Sequence, residues 1–118
     1  TEKTYLEMFK IGEGFLKKGV SIILDATFQK SRYRQEAVEL AKRLGAVFHI
    51  IECAAGDDIT RQRLDKRAKQ EGVASDGRRE VYEKQKRLYE AIKEPHIRID
   101  TSLDMDKIKI MALEKIFG

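Results

Sequence analysis

The residues best suited to chemistry follow the short apolar run Val20–Leu24. Asp25 comes directly after that run, Thr27 lies two positions later, and Arg34 lies nine positions after Asp25. A carboxylate at the end of an apolar segment is costly unless a cation or a hydrogen-bond donor partners it. The pattern therefore predicts a polar site where this segment ends.

A second candidate group lies in the basic segment 60–80. This segment holds seven Lys and Arg against four Asp and Glu, and its net charge of +3 is most of the +4 of the whole chain. Arg63 and Arg67 are four residues apart and share a helix face, so two guanidinium groups can converge on one polyanion such as a triphosphate. The interruption at 72–77 predicts a hinge, and Asp76 is the predicted N-cap of the helix that follows.

Hydrophobic periodicity predicts the helices that must position these residues. Residues 3–17 carry apolar side chains at three- and four-residue steps, which is typical of a helix with one buried face. The stripe from Tyr33 to Leu44 predicts a second helix that ends at Gly45. A third amphipathic helix is predicted after the basic segment, with its inner face formed by Val81, Tyr82, Gln85, Leu88, Tyr89 and Ile92.

The C-terminal part of the chain predicts one more helix. Thr101–Asp104 resembles a capping box that opens it. Its side chains Ile108, Ala112 and Ile116 are expected to pack back onto the rest of the domain.

Three short segments predict strands. Val20–Leu24 and Ala46–Cys53 are too short for amphipathic helices and predict strands covered on both faces, and Ile97–Asp100 predicts a weaker third strand. Strands that alternate with helices imply parallel pairing and an α/β layer structure. Ligands of such sheets bind beyond the carboxyl ends of the strands, which is where Asp25, Cys53 and Asp100 fall.

Composition sets limits on the class of protein. The 118 residues suffice for one small domain, and 37% charged with 42% hydrophobic residues is typical of a folded soluble protein. No apolar run approaches the length of a membrane span, so a cytoplasmic protein without membrane partners is expected. A single cysteine, Cys53, with His49 and His96 far apart, gives no expected metal site of His or Cys ligands.

Three motifs, in this order, carry a resemblance to a known family. The run IILDATF followed by Arg34, then RQRLDKR, then SDGRREVYEKQ resemble the second half of a P-loop kinase domain of the polynucleotide-kinase and zeta-toxin-like type, often described as an AAA-type ATP-binding domain. The similarity extends from Tyr5 to about Ile116. It implies a partial P-loop NTPase-type three-layer α/β fold in one domain, residues 1–118, with a parallel sheet of about three strands and a helical lid at about 57–80.

The resemblance also implies roles for five residues. Asp25 matches the catalytic Walker B type acid that holds the Mg²⁺ shell or a substrate hydroxyl, and Thr27 matches a small polar cofactor-binding residue of the D-x-T turn. Arg34 matches an arginine that orders this turn or supports the substrate. Arg63 and Arg67 match paired lid arginines that contact ATP phosphates, and Arg67 is also expected to stabilise charge during transfer. ATP and Mg²⁺ are the implied cofactors of the complete domain.

The sequence departs from the family at the phosphate loop. No G-x-x-x-x-G-K-[ST] motif occurs in the chain, and the Gly12–Gly14 stretch lacks the Lys and the Ser or Thr that a phosphate cradle needs. The chain is therefore expected to be the C-terminal part of a kinase-like domain, inactive alone, that fills the gap by rearrangement, by forming a homo-oligomer, or with a missing N-terminal segment. The phosphate acceptor cannot be read from the sequence.

Each assignment has an alternative that the sequence leaves open. Asp25 can simply cap the following helix, and Arg34 and the lid arginines can be solvent-exposed helix residues. Cys53 is expected to be a buried strand residue. Ser75 and Asp76 are expected to form a turn and cap rather than to bind substrate.

Three functions remain open at this stage. The first is an ATP-dependent phosphotransferase or ATPase domain that contributes Asp25 and the lid. The second is a non-catalytic, degenerate nucleotide-fold module that serves assembly. The third is a basic nucleic-acid-binding domain, for which a net charge of +4 without interleaved aromatic residues gives weak support.

Overall fold

The computed structural model describes residues 2–72 and 75–118, with the backbone alone for residues 75 and 76. Its elements are, in chain order, α1 (Glu2–Lys17), α2 (Ser31–Arg43), β1 (Ile51–Ala54), α3 (Asp57–Glu71), α4 (Ser75–Leu88), β2 (Ile97–Asp100) and α5 (Met105–Phe117). The chain divides into two compact units. The first runs up to Phe48 and includes Tyr89–Ala91, and the second holds His49–Leu88 and Ile92–Gly118.

In the first unit, α1 and α2 pack side by side and run in the same direction. Near the start of each helix, the ring of Tyr5 stacks on that of Tyr33 with centroids 4.0 Å apart. Further along both helices, Arg43 forms an ion pair of 2.5 Å with Glu13. The buried side of α2 is the one its periodicity predicts, and consists of Tyr33, Arg34, Ala37, Leu40 and Ala41.

Between these helices, the segment Val20–Leu24 is not a strand, so that prediction is wrong. Ile22 lies against Gly12 of α1, where an added Cβ would come within 2.9 Å of the Ile22 Cδ1 atom. Ile23 faces the other way and is 92% exposed. A strand needs a neighbour for its backbone hydrogen bonds, and none of the described residues pairs with this segment as a strand. One face of the run is thus covered, rather than both.

The second unit contains a parallel pair of strands. β1 and β2 pair in register, from Ile51 opposite Ile97 to Ala54 opposite Asp100. The predicted strand Ile97–Asp100 and the parallel pairing are therefore correct, but two strands are found in the described residues instead of about three. β1 is also shorter than the predicted strand 46–53, because the ladder ends where the four residues of β2 end.

Cys53, in β1, is exposed. The sequence predicts a buried strand residue. Cys53 does lie in a strand, but it is not buried. In a sheet of two strands, each strand has only one neighbour and the faces are incompletely covered. Ile99 on β2 is the strand residue that reaches the core, at 3% exposure.

The helices of the second unit begin and end by different means. α3 ends at Glu71, and Gly72 has the left-handed φ of 70° that favours glycine at a helix end. α4 already begins at Ser75, so Asp76 lies inside it and is not the N-cap; the predicted hinge 72–77 lies partly outside the described residues, and so does the Asp76 side chain. Val81 and Leu88 of α4 are each 55% exposed, which contradicts their predicted place inside.

The cap of α5 is Asp104 rather than a capping box begun by Thr101. The Asp104 Oδ1 atom accepts a hydrogen bond of 3.0 Å from the Lys107 backbone N–H, which satisfies one of the free N–H groups of the first turn. Thr101 instead donates its backbone N–H to the Ala54 carbonyl, at 2.8 Å. Ile108, Ala112 and Ile116 are half-buried on α5, as their spacing predicts.

Candidate functional site

The turn from Asp25 to Phe28 holds two of the predicted site residues in the first unit. Asp25 and Thr27 are both exposed there. Asp25 is not the cap of α2, because the N-cap position is Lys30. The carboxylate of Glu90 takes that role instead, since its Oε1 atom accepts a hydrogen bond of 3.0 Å from the Ser31 backbone N–H. The capping alternative for Asp25 is therefore wrong.

Tyr5 holds the turn from the side of α1. Its hydroxyl oxygen accepts a hydrogen bond of 2.9 Å from the Phe28 backbone N–H. The same oxygen lies 3.3 Å from the Thr27 Oγ1 atom. Phe28 has a φ of 45°, a left-handed conformation that a bulky residue seldom adopts without support. The hydrogen bond from Phe28, together with the edge-to-face contact of its ring with Tyr5 at 5.2 Å, supports this conformation.

Arg34 holds the turn from the other side. It is only 3% exposed, so the alternative of an exposed helix residue is wrong. Its guanidinium donates to the Phe28 carbonyl at 2.6 Å and to the Glu90 carbonyl at 2.6 Å, and a longer bond reaches the carbonyl of Ala91 at 3.3 Å. Three backbone carbonyls thus accept hydrogen bonds from a buried cation, which offsets the cost of burying its charge.

The segment Tyr89–Ala91 completes this arrangement within the first unit. The backbone N–H of Glu90 donates to the Gln29 carbonyl at 2.8 Å, and the Arg34 guanidinium lies 5.5 Å from the centre of the Tyr89 ring. Sequence reasoning missed Tyr5 and Glu90 as supports of the turn. Their partners lie 23 and 59 positions away along the chain, so no local pattern marks them.

Arg63 and Arg67, the predicted lid arginines, lie on α3, in the second unit, and differ in their contacts. The Arg63 guanidinium donates to the Thr101 carbonyl at 2.6 Å and reaches the Thr101 hydroxyl at 3.4 Å. Arg67 is exposed, and its guanidinium has no hydrogen-bonding partner among the described residues. Positions four apart on a helix differ by only about 40° around its axis, so the two side chains share a face while Arg63 is engaged and Arg67 is not.

Next to Thr101, at the carboxyl end of β2, the carboxylate of Asp100 is held in a local network. Asp100 Oδ1 accepts hydrogen bonds from the Ser102 hydroxyl at 2.6 Å and from the Ser102 backbone N–H at 2.9 Å. These two bonds, with a smaller contribution from the positive charge of Arg63, hold the pKa of Asp100 below its usual range. Arg63 thus binds the residue next to Asp100, whose carboxylate is itself held by hydrogen bonds.

Ion pairs and hydrogen bonds hold α3 against α4. Along the two helices, Lys86 and the Tyr82 hydroxyl bind Asp57, Arg61 binds Glu83, Arg79 binds Asp65, and Arg78 binds Glu71. In these pairs the residue number on α4 falls as the residue number on α3 rises, so the two helices form an antiparallel hairpin. Ala68 is the buried apolar residue of α3. Paired charges on partly exposed side chains therefore line the contact between these helices.

We expect this hairpin to weaken in acid. The hydrogen bond from Lys86, and then that from Tyr82, lowers the pKa of Asp57, and the hydrogen bond from Arg79 lowers that of Asp65. A carboxyl with a lowered pKa stabilises the folded state above its unfolded-state pKa of about 3.9 and loses that contribution as pH falls through the folded value. Hydrogen-exchange protection of α3 amides should thus hold at neutral pH and fall below about pH 4.

A double variant, Asp57→Asn with Asp65→Asn, provides the control for the acid effect. It should lower the hydrogen-exchange protection of α3 at neutral pH. It should also remove most of the change in that protection with pH, because the two asparagine side chains do not titrate. High salt should weaken the wild-type hairpin as well, since these pairs are partly solvent-exposed. Unchanged protection of α3 at pH values well below the pKa of both carboxyls would contradict the assignment.

The fold assigns the protein to a structural class, and the comparison with family models assigns it to a protein family. Parallel strands joined through helices, with polar residues after the apolar segments, make this an α/β protein. The chain belongs to the AAA domain family, because the model of that family matches residues 1–92, which is more than half of the chain. This is a family of P-loop, kinase-like domains, so the resemblance seen in the sequence is confirmed. Such domains generally bind nucleotide with Mg²⁺.

The comparisons with curated proteins and with solved structures find no relative of the chain. No curated protein and no solved structure matches the chain significantly. The family match ends at residue 92, so β2 and α5 lie after it. Within the described part of the chain, no helix combines the length and the apolar character needed to cross a bilayer.

Proposed function

We propose that this chain contributes the acid and the lid of an ATP-dependent phosphotransferase or ATPase domain. The observation that carries the proposal is the turn that ends in Phe28, which Tyr5 and Arg34 fix from two sides while the Asp25 carboxylate stays exposed. Catalytic and binding groups need support of this kind to hold their geometry. Membership in a family of nucleotide-binding, kinase- or ATPase-like domains supports the same function.

The donor chemistry of the turn suits Mg²⁺. This ion prefers oxygen ligands, and proteins usually hold it through one or two carboxylates, with water and substrate phosphates as the remaining ligands. Asp25 offers an exposed carboxylate and Thr27 an exposed hydroxyl. When bound, Mg²⁺ neutralises phosphate charge. Asp25 would hold its hydration shell or accept a hydrogen bond from a substrate hydroxyl, and Arg34 would keep the turn in place.

The lid arginines suit the phosphates of the nucleotide. Arg67 presents an exposed guanidinium without a described partner, and its role is to stabilise negative charge that develops during transfer. Arg63, held by Thr101, would contact phosphate with the donors it does not use in that bond. The chain has no G-x-x-x-x-G-K-[ST] cradle, so no role in binding the phosphates is assigned to Gly12 or Gly14.

The proposal is tested by Mg²⁺-dependent binding of a non-hydrolysable ATP analogue. We expect the 118 residues alone to bind it weakly, and a fusion with a phosphate-loop segment ahead of Thr1 to bind it tightly. In that fusion, Asp25→Asn should reduce the gain in affinity that Mg²⁺ provides by about tenfold, as loss of one metal-shell carboxylate does. Arg67→Ala should lower affinity at every Mg²⁺ concentration, because it removes a charge-assisted contact.

Matched variants separate these roles from general charge effects. Glu36→Gln removes an exposed acid of α2, and Lys66→Ala removes an exposed cation of α3 on another face. Both should leave binding and its Mg²⁺ dependence unchanged. If Asp25→Asn behaves like Glu36→Gln, and Arg67→Ala like Lys66→Ala, the chain is a non-catalytic nucleotide-fold module instead.

Nucleic-acid binding is the less favoured alternative. Of the seven basic residues counted in segment 60–80, Arg61, Arg78 and Arg79 pair with acids inside the hairpin. Cations that are already paired release fewer counterions from a phosphate backbone and so contribute less to such binding. A steep salt dependence of oligonucleotide binding would restore this alternative.

A further inference from the structure

The first unit contains a cavity beside the turn that carries Asp25. Its volume is about 360 Å³, which is at the lower end of the range for small-molecule sites. Thr27 lines the cavity and lies two positions from Asp25 in the chain, whereas Asp25 itself is not among the lining residues. A ligand in the cavity would therefore contact the same turn that presents the carboxylate.

The cavity has two cations at the start of α2. Lys30 and Arg32 line it, and Glu2 is the carboxylate among the described lining residues, so two positive charges minus one negative charge leave +1. The Arg32 guanidinium is positioned by Tyr33: it lies 4.7 Å from the centre of that ring and donates to the Tyr33 hydroxyl at 2.8 Å. One of its five N–H donors is used in that bond, and the others remain for an anion.

The same cavity is also lined by neutral hydrogen-bonding groups. Tyr5, Thr27 and Gln29 contribute two hydroxyls and an amide to its lining. The Tyr5 oxygen accepts from Phe28 N–H, so its own proton can go to the Thr27 oxygen 3.3 Å away. The Thr27 hydroxyl hydrogen is then available to a ligand oxygen. Hydroxyls and an amide of this kind recognise alcohols.

We propose that this cavity binds the phosphate acceptor, and that the acceptor is a small hydroxylated molecule carrying one phosphate group. Lys30 and Arg32 bind the phosphate, and Thr27 and Gln29 bind hydroxyls. The role as acceptor rests on the proposed function, but binding in the cavity does not. The volume of about 360 Å³ suits a sugar phosphate.

Amide NMR titration with ribose 5-phosphate tests the proposal on this chain. The amide signals of residues 27–33 should shift and saturate below about 20 mM, since a ligand with one strong anionic contact binds weakly. Ribose, which lacks the phosphate, and inorganic phosphate, which lacks the alcohol groups, should each bind less tightly. Equal binding of ribose, or no shift in residues 27–33, would overturn the proposal.

Charge variants make the test specific. Lys30→Gln with Arg32→Gln should lower the affinity for ribose 5-phosphate by about tenfold or more, because charge-assisted hydrogen bonds are lost. Lys10→Gln with Lys42→Gln removes the same charge from exposed positions of α1 and α2 and should have less than about a twofold effect. Equal losses in both pairs would show that only the general charge of the unit attracts the ligand, which would refute the cavity as the site.

The outcome is separable from that of the proposed function. Binding of the ATP analogue to the phosphate-loop fusion depends on Asp25 and Arg67, and neither residue lines the cavity. If the analogue binds as expected but ribose 5-phosphate leaves residues 27–33 unshifted, the acceptor proposal fails and the proposed function stands. If ribose 5-phosphate binds in the cavity but the analogue shows no dependence on Asp25, the site exists and the phosphotransferase assignment fails.

Discussion

Replacement of Arg34 by Met should destabilise the first unit by about 2 kcal/mol or more, because it removes the hydrogen bonds from a buried guanidinium to backbone carbonyls, and a hydrogen bond to a charged group contributes about 1.5 to 3 kcal/mol. The carbonyls concerned belong to Phe28, Glu90 and Ala91. One gain offsets part of this loss, since the Arg34 Nε atom is itself buried without a partner. The net effect is still a loss of stability, because the variant gives up three hydrogen bonds and removes only one orphan donor.

Urea unfolding followed by the hydrogen-exchange protection of α2 amides measures this loss. Arg34→Lys should recover only part of the stability, because an ammonium group cannot span the carbonyls that the planar guanidinium joins. Arg32→Met is the matched control: Arg32 is exposed and donates to the hydroxyl of the adjacent Tyr33, so its loss should cost less than about 1 kcal/mol. If Arg34→Met is no less stable than Arg32→Met, the Arg34 guanidinium does not hold the turn.

Replacement of Tyr5 by Leu should cost about 3 kcal/mol, because it removes both an aromatic contact and a hydrogen bond. The ring stacks on Tyr33 with an angle of 8° between the planes, and the hydroxyl accepts from Phe28. Tyr5→Phe keeps the ring and removes only the hydroxyl, so it should cost about 1 kcal/mol. The difference between the two variants measures the contribution of the ring, which includes the stack on Tyr33 and the edge-to-face contact with Phe28.

The amide chemical shifts of residues 25–28 provide the second measurement for Tyr5. Tyr5→Phe should shift them strongly, because the left-handed backbone at Phe28 loses the acceptor of its N–H. Tyr82→Phe, which removes a hydroxyl in the second unit, is the control and should leave these four signals in place. A Tyr5→Phe spectrum unchanged over residues 25–28 would mean that the Phe28 conformation does not depend on the hydroxyl.

Together these two variants test whether the turn is built for function or only for stability. The proposed function requires that Asp25 stay in one position while its carboxylate remains exposed. Arg34 and Tyr5 both act on Phe28, and neither is expected to contact a nucleotide. A variant that keeps the unit folded but releases the turn, such as Tyr5→Phe, should thus reduce the Mg²⁺-dependent gain in ATP-analogue affinity.

The sequence alone determined the helices and the family. Helical hydrogen bonds join residues four apart, so the local repeat of apolar residues is sufficient to predict α1, and the buried stripe of α2 follows Tyr33 to Ala41. The order of short motifs around Asp25 and Arg67 identified the family, because those motifs are local as well.

The tertiary structure alone decided which apolar runs are strands and which residues support the turn. A strand exists only where another strand supplies its hydrogen bonds, so Ile97–Asp100 pairs with β1, whereas Val20–Leu24, which is more apolar, has no partner strand among the described residues. The supports from Tyr5 and Glu90 reach their partners across 23 and 59 positions. Contacts at that separation depend on how the whole chain folds, and local sequence does not encode them in a readable pattern.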